Sequence, residues 1–197
     1  MSLILVTGGG RSGKSTFAEQ LAHRLGGDRD VCYVATADPG DDEMRARIAA
    51  HRAGRPPGWR TLEAPRSVMA ALDGLANPLT VRAVLLDCLT LLVSNVLLAQ
   101  PHQAQTVEGA WPAVEAEVNA LIRFAGNAAV PTVVVTNEVG LGIVPDNRLA
   151  RVYRDLLGWA NQRLAAKADC VYLVVAGIPV DIKALQRPLS RFLGGHA

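Results

Sequence analysis

Residues 8–15 read Gly8-Gly9-Gly10-Arg11-Ser12-Gly13-Lys14-Ser15 and satisfy the pattern Gly-x4-Gly-Lys-Ser in full. The chemistry of that pattern is phosphate binding. Glycines let the backbone wrap so that N–H groups point inward as donors. A helix starting near Lys14 adds the partial positive charge of its N-terminus. Lys14 is placed to reach the β- and γ-phosphates of a nucleoside triphosphate, and the Ser15 hydroxyl to ligate Mg2+. A glycine turn that binds nothing is the competing reading, and the apolar strand before the loop and the amphipathic helix after it argue against that. Asp87 closes the apolar run Ala83-Val84-Leu85-Leu86. A carboxylate at the end of a buried strand is where a Mg2+-holding acid sits in such proteins. Asp87 also precedes a helical pattern, so capping is its alternative role.

The third candidate is His51. The stretch Asp41 to Arg55 reads as a helix with acids at its start and bases at its end, which complements the helix dipole. Arg47, His51 and Arg55 recur at i, i+4 and i+8, so they are expected within an arc of about 80° that also holds Met44 and Ile48. The histidine then faces the body of the protein. One reading makes it a half-buried space filler. The other makes it a nucleophile: flanking guanidinium groups disfavour the imidazolium form, and neutral imidazole attacking an α-phosphorus forms a phosphoramidate and expels pyrophosphate. Spacing leaves both readings open. His23, His102 and His196 read as surface residues.

These residues need a scaffold. The chain has 197 residues, 50% hydrophobic and 19% charged, which suits one folded α/β domain and not a disordered chain. A net charge of +2 and the lack of any Lys/Arg run give no sign of a nucleic-acid partner. Cys32, Cys88 and Cys170 form no CxxC pair and lie in or beside apolar runs, so buried reduced thiols and a reducing compartment are expected. Met1 to Thr7 is apolar, lacks a basic leader and runs straight into the glycine loop, so it reads as a strand and not a signal peptide. No apolar stretch reaches the ~18 residues of a membrane span. A cytoplasmic protein is expected.

Five short apolar runs, Leu3 to Thr7, Val31 to Ala35, Arg82 to Asp87, Val130 to Thr136 and Cys170 to Ala176, read as strands buried on both faces. Helices are predicted at Lys14–Arg24, Asp41–Ala53, Ser67–Leu75, Leu89–Ala99, Val107–Ala125 and Asn147–Ala166. The alternation predicts a doubly wound α/β fold, a mostly parallel sheet flanked by helices, with ligands beyond the carboxyl ends of the strands. Residues 1–185 read as a single nucleotide-binding domain and residues 186–197 as a loosely held C-terminal tail.

Longer blocks then carry a resemblance. Thr7-Gly8-Gly9-x-Arg11-Ser12-Gly13-Lys14-Ser15, Tyr33-Val34-Ala35-Thr36-Ala37, Asp41-Asp42-Glu43-Met44 and Arg47-Ile48-x-x-His51-Arg52-x-x-Arg55-Pro56-x-x-Trp59-Arg60-Thr61-x-Glu63 are followed by Asp87-Cys88-Leu89-Thr90. Val135-Thr136-Asn137-Glu138-Val139-Gly140-x-Gly142-Ile143-Val144-Pro145, Asn147-Arg148-Leu149-Ala150-Arg151 and Asn161-Gln162-Arg163-Leu164-Ala165 complete the set. In order and content these blocks resemble the bifunctional adenosylcobinamide kinase / adenosylcobinamide-phosphate guanylyltransferase family of cobalamin biosynthesis, from about Ile4 to Lys183. The resemblance implies a P-loop NTPase-like, RecA-like fold. It implies that ATP or GTP phosphorylates adenosylcobinamide, and that GTP then gives GMP to the product through a covalent GMP-histidine, which maps onto His51. Mg2+ and a homotrimer are implied as well. Family nucleotide contacts map onto Gly8 to Ser15, Ala35, Thr36, Ala37, Arg52, Ala53, Gly54, Arg55, Glu63 and Asp87. Glu63 is a candidate to accept hydrogen bonds from guanine, and Arg52 and Arg55 to balance phosphate charge. Gly10 stands where relatives often have Ala, Asp87 where some have Glu, and Ala50 where some have His. The block from Asn137 to Pro145 is expected to border the active site, with direct contact by Asn137 or Glu138 left open. A plain small-molecule kinase and a nucleotide-driven switch module are the alternatives. No NKxD-type base-recognition motif supports the switch.

Overall fold

The computed structural model describes residues 2–38, 40, 42–73 and 81–187, apart from the side chains of residues 43, 44, 47, 48, 50 and 51. Its elements run β1 (Leu3–Gly8), α1 (Lys14–Gly26), β2 (Val31–Ala35), α2 (Asp42–Ala53), β3 (Arg60–Glu63), α3 (Val68–Asp73), β4 (Ala83–Asp87), α4 (Leu89–Leu98), α5 (Val107–Asn127), β5 (Thr132–Val135), α6 (Arg148–Lys167), β6 (Cys170–Val175) and β7 (Ile178–Asp181). Every strand and helix expected from periodicity is present, with ends displaced by a few residues. The expected starts and ends at Asp41 and Leu75, and the tail from residue 188, lie outside the described residues.

The strands form one seven-stranded sheet in the order β3-β2-β4-β5-β1-β6-β7. All neighbours pair parallel except β6 and β7. Strand alternation divides the core. Leu3, Leu5, Val34, Leu86 and Val134 pack with Leu92 of α4, Val118 of α5 and Leu157 of α6. Ile4, Val6, Tyr33, Leu85 and Val135 pack on the other face with Ala18 and Ala22 of α1. Burial on both faces explains the unbroken Val/Leu runs of the central strands.

Two strands, β3 and β7, were not among the five expected, and the physical reason is their place at the sheet edges. In β3 all four residues are exposed or half-buried, so no apolar run marks it. β7 contains Pro179, a residue confined to edges and bulges in sheets. Its hairpin does carry a local signature. Ala176 and Gly177 both take positive φ between Val175 and its partner Ile178, the backbone that a two-residue turn demands.

The hairpin also buttresses the phosphate loop. Gly177 donates its N–H to the Ser12 carbonyl at 2.8 Å. A Cβ on Gly8 would meet the Val174 carbonyl oxygen at 2.5 Å and Ser12 Oγ at 2.6 Å, whereas one on Gly10 would meet nothing within 4 Å. Gly8→Ala is therefore expected to destabilise the fold by about 1–3 kcal/mol through overpacking against backbone. Gly10→Ala is expected to stay within about 0.5 kcal/mol of the parent. Urea unfolding of the two variants measures the contrast.

Candidate active site at the carboxyl edge of the sheet

Parallel register lines up the candidate residues. Glu63 pairs with Ala35, Ala35 with Asp87, Asp87 with Val135, and Val135 with Val6. One row thus crosses five strands, about 19 Å at the ~4.8 Å spacing of neighbouring strands. It ends two residues before Gly8, where the phosphate loop begins. β5 separates the loop strand from the strand that carries Asp87.

The loop has the shape its sequence calls for. Gly9, Gly10 and Arg11 are exposed at its tip, Arg11 takes φ 58° and Gly13 takes φ 91° as α1 begins. Ser12 N–H donates to the Gly9 carbonyl at 3.3 Å. Lys14 Nζ donates to the same carbonyl at 3.0 Å, so its ammonium lies across the loop. Burial pulls the Lys14 pKa down, while the Cys88 and Asp87 groups pull it up. Ser15 stands in the first turn of α1 and is half-buried.

Asp87 is held by an unforeseen partner. Tyr33, buried in β2, donates its hydroxyl to Asp87 Oδ2 at 3.1 Å. Burial, and then the Asp87 charge, raise the phenol pKa well above the ordinary tyrosine value, so the proton stays on the donor. The guanidinium of Arg55 lies 3.4 Å from the Tyr33 ring centroid, a cation–π stack. Tyr33 belongs to a block of the family resemblance, yet nothing in the sequence gave it a role. The register supplies one, since Tyr33 lies two residues before Ala35, the partner of Asp87.

Thr36 is fully buried, and its hydroxyl donates to the Cys88 carbonyl and accepts from the Cys88 N–H, each at 2.7 Å. Asn95 Nδ2 donates to the Thr36 carbonyl at 2.8 Å. The Thr36 side chain therefore anchors the β2 and β4 ends to each other, and half-buried Ala37 and exposed Asp38 turn outward. Burial, then the Asp87 charge, push the Cys88 thiol up to about 11. It is a thiol at neutral pH and no rival to a histidine nucleophile.

The α2 region changes one expectation. The helix ends at Ala53, because Gly54 follows and Arg55 precedes Pro56, a position that disfavours helical backbone. Arg55 therefore does not share a helical arc with Arg47 and His51. It reaches instead over Tyr33. The side chains of Met44, Arg47, Ile48 and His51 lie outside the described residues, and so does the expectation that His51 faces the body of the protein. Arg52, Ala53 and Gly54 are exposed beside it. Arg52 Nη1 is 3.5 Å from Glu63 Oε1, an exposed pair that adds little stability and leaves both groups accessible to a ligand. Of the remaining histidines, His23 and His102 are exposed as expected, and His196 lies outside the described residues.

A second polar cluster borders the loop on the opposite face. Thr7 Oγ1 donates to Glu138 Oε1 at 2.9 Å. Asn161, buried in α6, accepts from Thr136 Oγ1 at 2.7 Å and donates to the Asn137 carbonyl at 3.0 Å. The sequence drew attention to Asn137 and Glu138, and to Asn161 only as part of a motif. Its place at helical spacing between Leu157 and Leu164, in an otherwise apolar stripe of α6, was the available signal.

Among the described residues no group of three or more His, Cys, Asp or Glu forms a metal cluster. Ser15 and Asp87 are hard oxygen donors, and Tyr33 engages Oδ2, while Oδ1 has no hydrogen bond among the described residues. Such a pair suits Mg2+, which commonly takes one or two protein oxygens and completes its octahedron with substrate phosphates and water. Among the described residues no helix is long and apolar enough to cross a membrane.

Comparison with known proteins identifies the family of the chain. Residues 4–182 match the family described as cobinamide kinase / cobinamide phosphate guanyltransferase. The chain is 46% identical over 185 residues to the bifunctional adenosylcobalamin biosynthesis protein CobU of Escherichia coli K12, covering 92% of this chain and 99% of that one. The Salmonella typhimurium CobU aligns with the same identity and coverage. The bifunctional adenosylcobalamin biosynthesis protein CobP of Pseudomonas aeruginosa is 42% identical over 179 residues, 91% of this chain and 96% of its own. A family model that matches residues 4–182, and relatives 42–46% identical along nearly the whole chain, place it in a single group: the chain belongs to the cobinamide kinase / cobinamide phosphate guanyltransferase family.

Proposed function

We propose that this kinase and guanylyltransferase performs both reactions along the row from the phosphate loop to Glu63, with His51 as the covalent GMP carrier. The observation that carries this reading is the register: Gly8 to Ser15, Asp87, Ala35 and Glu63 all come to the carboxyl edge of one sheet. Adenosylcobinamide is the acceptor, and ATP or GTP the phosphoryl donor. The Gly8–Ser15 N–H groups and Lys14 hold the β- and γ-phosphates, as such loops do. Ser15 and Asp87 hold Mg2+, which when bound neutralises charge on the phosphate oxygens. Tyr33 keeps Asp87 in one orientation. The acceptor hydroxyl then bonds to the γ-phosphorus as the bond to the β-phosphate oxygen breaks.

In the second reaction the neutral His51 imidazole attacks the α-phosphorus of GTP. A nitrogen–phosphorus bond forms and pyrophosphate leaves with the electrons of the broken bond. Arg52 and Arg55 balance the phosphate charge. The phosphate of adenosylcobinamide phosphate next attacks the phosphoramidate, yielding adenosylcobinamide-GDP and free His51. The Glu63 carboxylate accepts from guanine N1–H and the amino group, while Ala35, Ala37, Ala53 and Gly54 leave room for the nucleoside. We further propose a cytoplasmic homotrimer with no nucleic-acid partner. Supporting an assembly, Ile178 and Val180 on the β7 edge expose large apolar side chains.

Protein incubated with α-labelled GTP and Mg2+ and then denatured is expected to carry acid-labile, alkali-stable label, absent in His51→Ala. No protein-bound label with corrinoid phosphorylation retained would leave a plain kinase. Loss of both would leave a nucleotide switch. Tyr33→Phe is expected to raise the Mg2+ concentration needed for half-maximal phosphorylation about 10-fold, as loss of an outer partner of a metal ligand does, with rate restored at saturating Mg2+. Glu63→Gln is expected to lower the preference for GTP over ATP in the labelling reaction about 10-fold or more, the worth of a charged hydrogen bond. Unchanged preference would remove Glu63 from base recognition.

A further inference from the structure

Glu138 follows β5, the strand between the phosphate-loop strand and the Asp87 strand. Its N–H donates to the carbonyl of Gly8, the first residue of the loop, at 3.2 Å. Thr7 Oγ1 donates to its Oε1 at 2.9 Å, and Asn161 Nδ2 reaches the same oxygen at 3.4 Å. Asn161 is itself fixed by Thr136 and the Asn137 carbonyl. One carboxylate oxygen is thus clamped from two elements, while Oε2 has no hydrogen bond among the described residues. A base oriented by further groups, with one free oxygen, is the arrangement that general-base catalysis uses.

The side of the sheet matters as much as the distance. Asp87 hydrogen-bonds Tyr33, which packs on the α1 face with Ile4 and Val6. Thr7 continues the alternation of Leu3 and Leu5, which pack on the face of α4, α5 and α6. Glu138, bonded to Thr7, therefore meets the loop from the face opposite Asp87. The face across the loop from the metal-side carboxylate is thus the one that carries a second, positioned carboxylate. Beside it, Asn137 Oδ1 is buried with no partner among the described residues, an acceptor awaiting a donor. Directly after it, Leu141, Ile143 and Val144 are 82%, 96% and 59% exposed. Three large apolar side chains in water beside a carboxylate suit a bulky, partly apolar acceptor with one reactive hydroxyl.

We infer that Glu138 is the general base of the phosphorylation reaction and that the Leu141–Val144 loop seats the corrinoid acceptor. This rests on the proposed function, and refines its first half. The acceptor O–H bond breaks and its proton passes to Glu138 Oε2. The freed electron pair forms the bond to the γ-phosphorus, and the nucleoside diphosphate leaves with the electrons of the broken phosphorus–oxygen bond. Glu138 returns the proton to solvent. The GMP-histidine step involves no acceptor hydroxyl, so it does not use Glu138.

That split supplies the test. In Glu138→Gln, single-turnover transfer of γ-label to adenosylcobinamide is expected to fall about 10²- to 10⁴-fold, the usual worth of a positioned base. Protein labelling by α-labelled GTP is expected to stay within about threefold of the parent. Ile143→Ser is expected to raise the acceptor KM several-fold (order of magnitude from a lost apolar side-chain contact) with kcat retained. If Glu138→Gln folds poorly, Glu138→Ala with added formate serves instead, and recovery of γ-transfer by formate is the expected result. γ-Transfer by Glu138→Gln at the parent rate, equal loss of both reactions, or no rescue by formate overturns the assignment. A change of oligomeric state in Ile143→Ser with acceptor KM unchanged overturns the docking role. Parent protein that phosphorylates no corrinoid would instead refute the proposed function itself.

Discussion

The parallel pairing of β4, β5 and β1 is the constraint on which the rest depends. Pairing of Asp87 with Val135 and of Val135 with Val6 sets where the strand-end carboxylate lies relative to the loop. Parallel strands present all their carboxyl ends on one edge, and the right-handed crossovers that join them place helices on both faces. The loop can therefore draw on α1 for its helix N-terminus and on the α6 side for the Glu138 network. A register slip of one residue in β5 would turn Val133 and Val135 toward the opposite core and misplace both groups.

Polar side chains finish what the register begins. Thr36 ties the ends of β2 and β4, Asn95 braces that junction, and Asn161 ties α6 to the end of β5. Each is buried or half-buried with its hydrogen bonds made, the condition under which buried polar groups fix one arrangement without a large penalty. Tyr33 acts likewise on Asp87, and its ring carries Arg55 from the segment after α2. The segment after the His51 helix and the strand-end carboxylate thereby meet on one phenol.

Much of this was legible in residue order, and the limits have physical causes. The five buried strands were visible because burial on both faces demands unbroken apolar runs. β3 and β7 were not, since edge strands face water and carry no such pattern. The phosphate loop was legible because its backbone admits few residue types. Asp87 was legible from its place at a strand end. The roles of Tyr33 and Asn161 and the stack of Arg55 on Tyr33 were not, because each depends on contacts between segments far apart in sequence. The end of α2 was legible: Gly54 and Pro56 are local signals, and helical spacing joined Arg55 to His51 only by running past them.

The most direct measurement of the central claim is a crystal structure with Mg2+ and a GTP analogue whose β,γ-bridge resists transfer. The β- and γ-phosphates are expected inside the Gly8–Ser15 loop with Lys14 Nζ about 3 Å from their oxygens. The metal is expected between Ser15 and Asp87, and Glu138 on the opposite side of the γ-phosphate. A triphosphate bound outside the loop, or a metal held without Asp87, would contradict that claim.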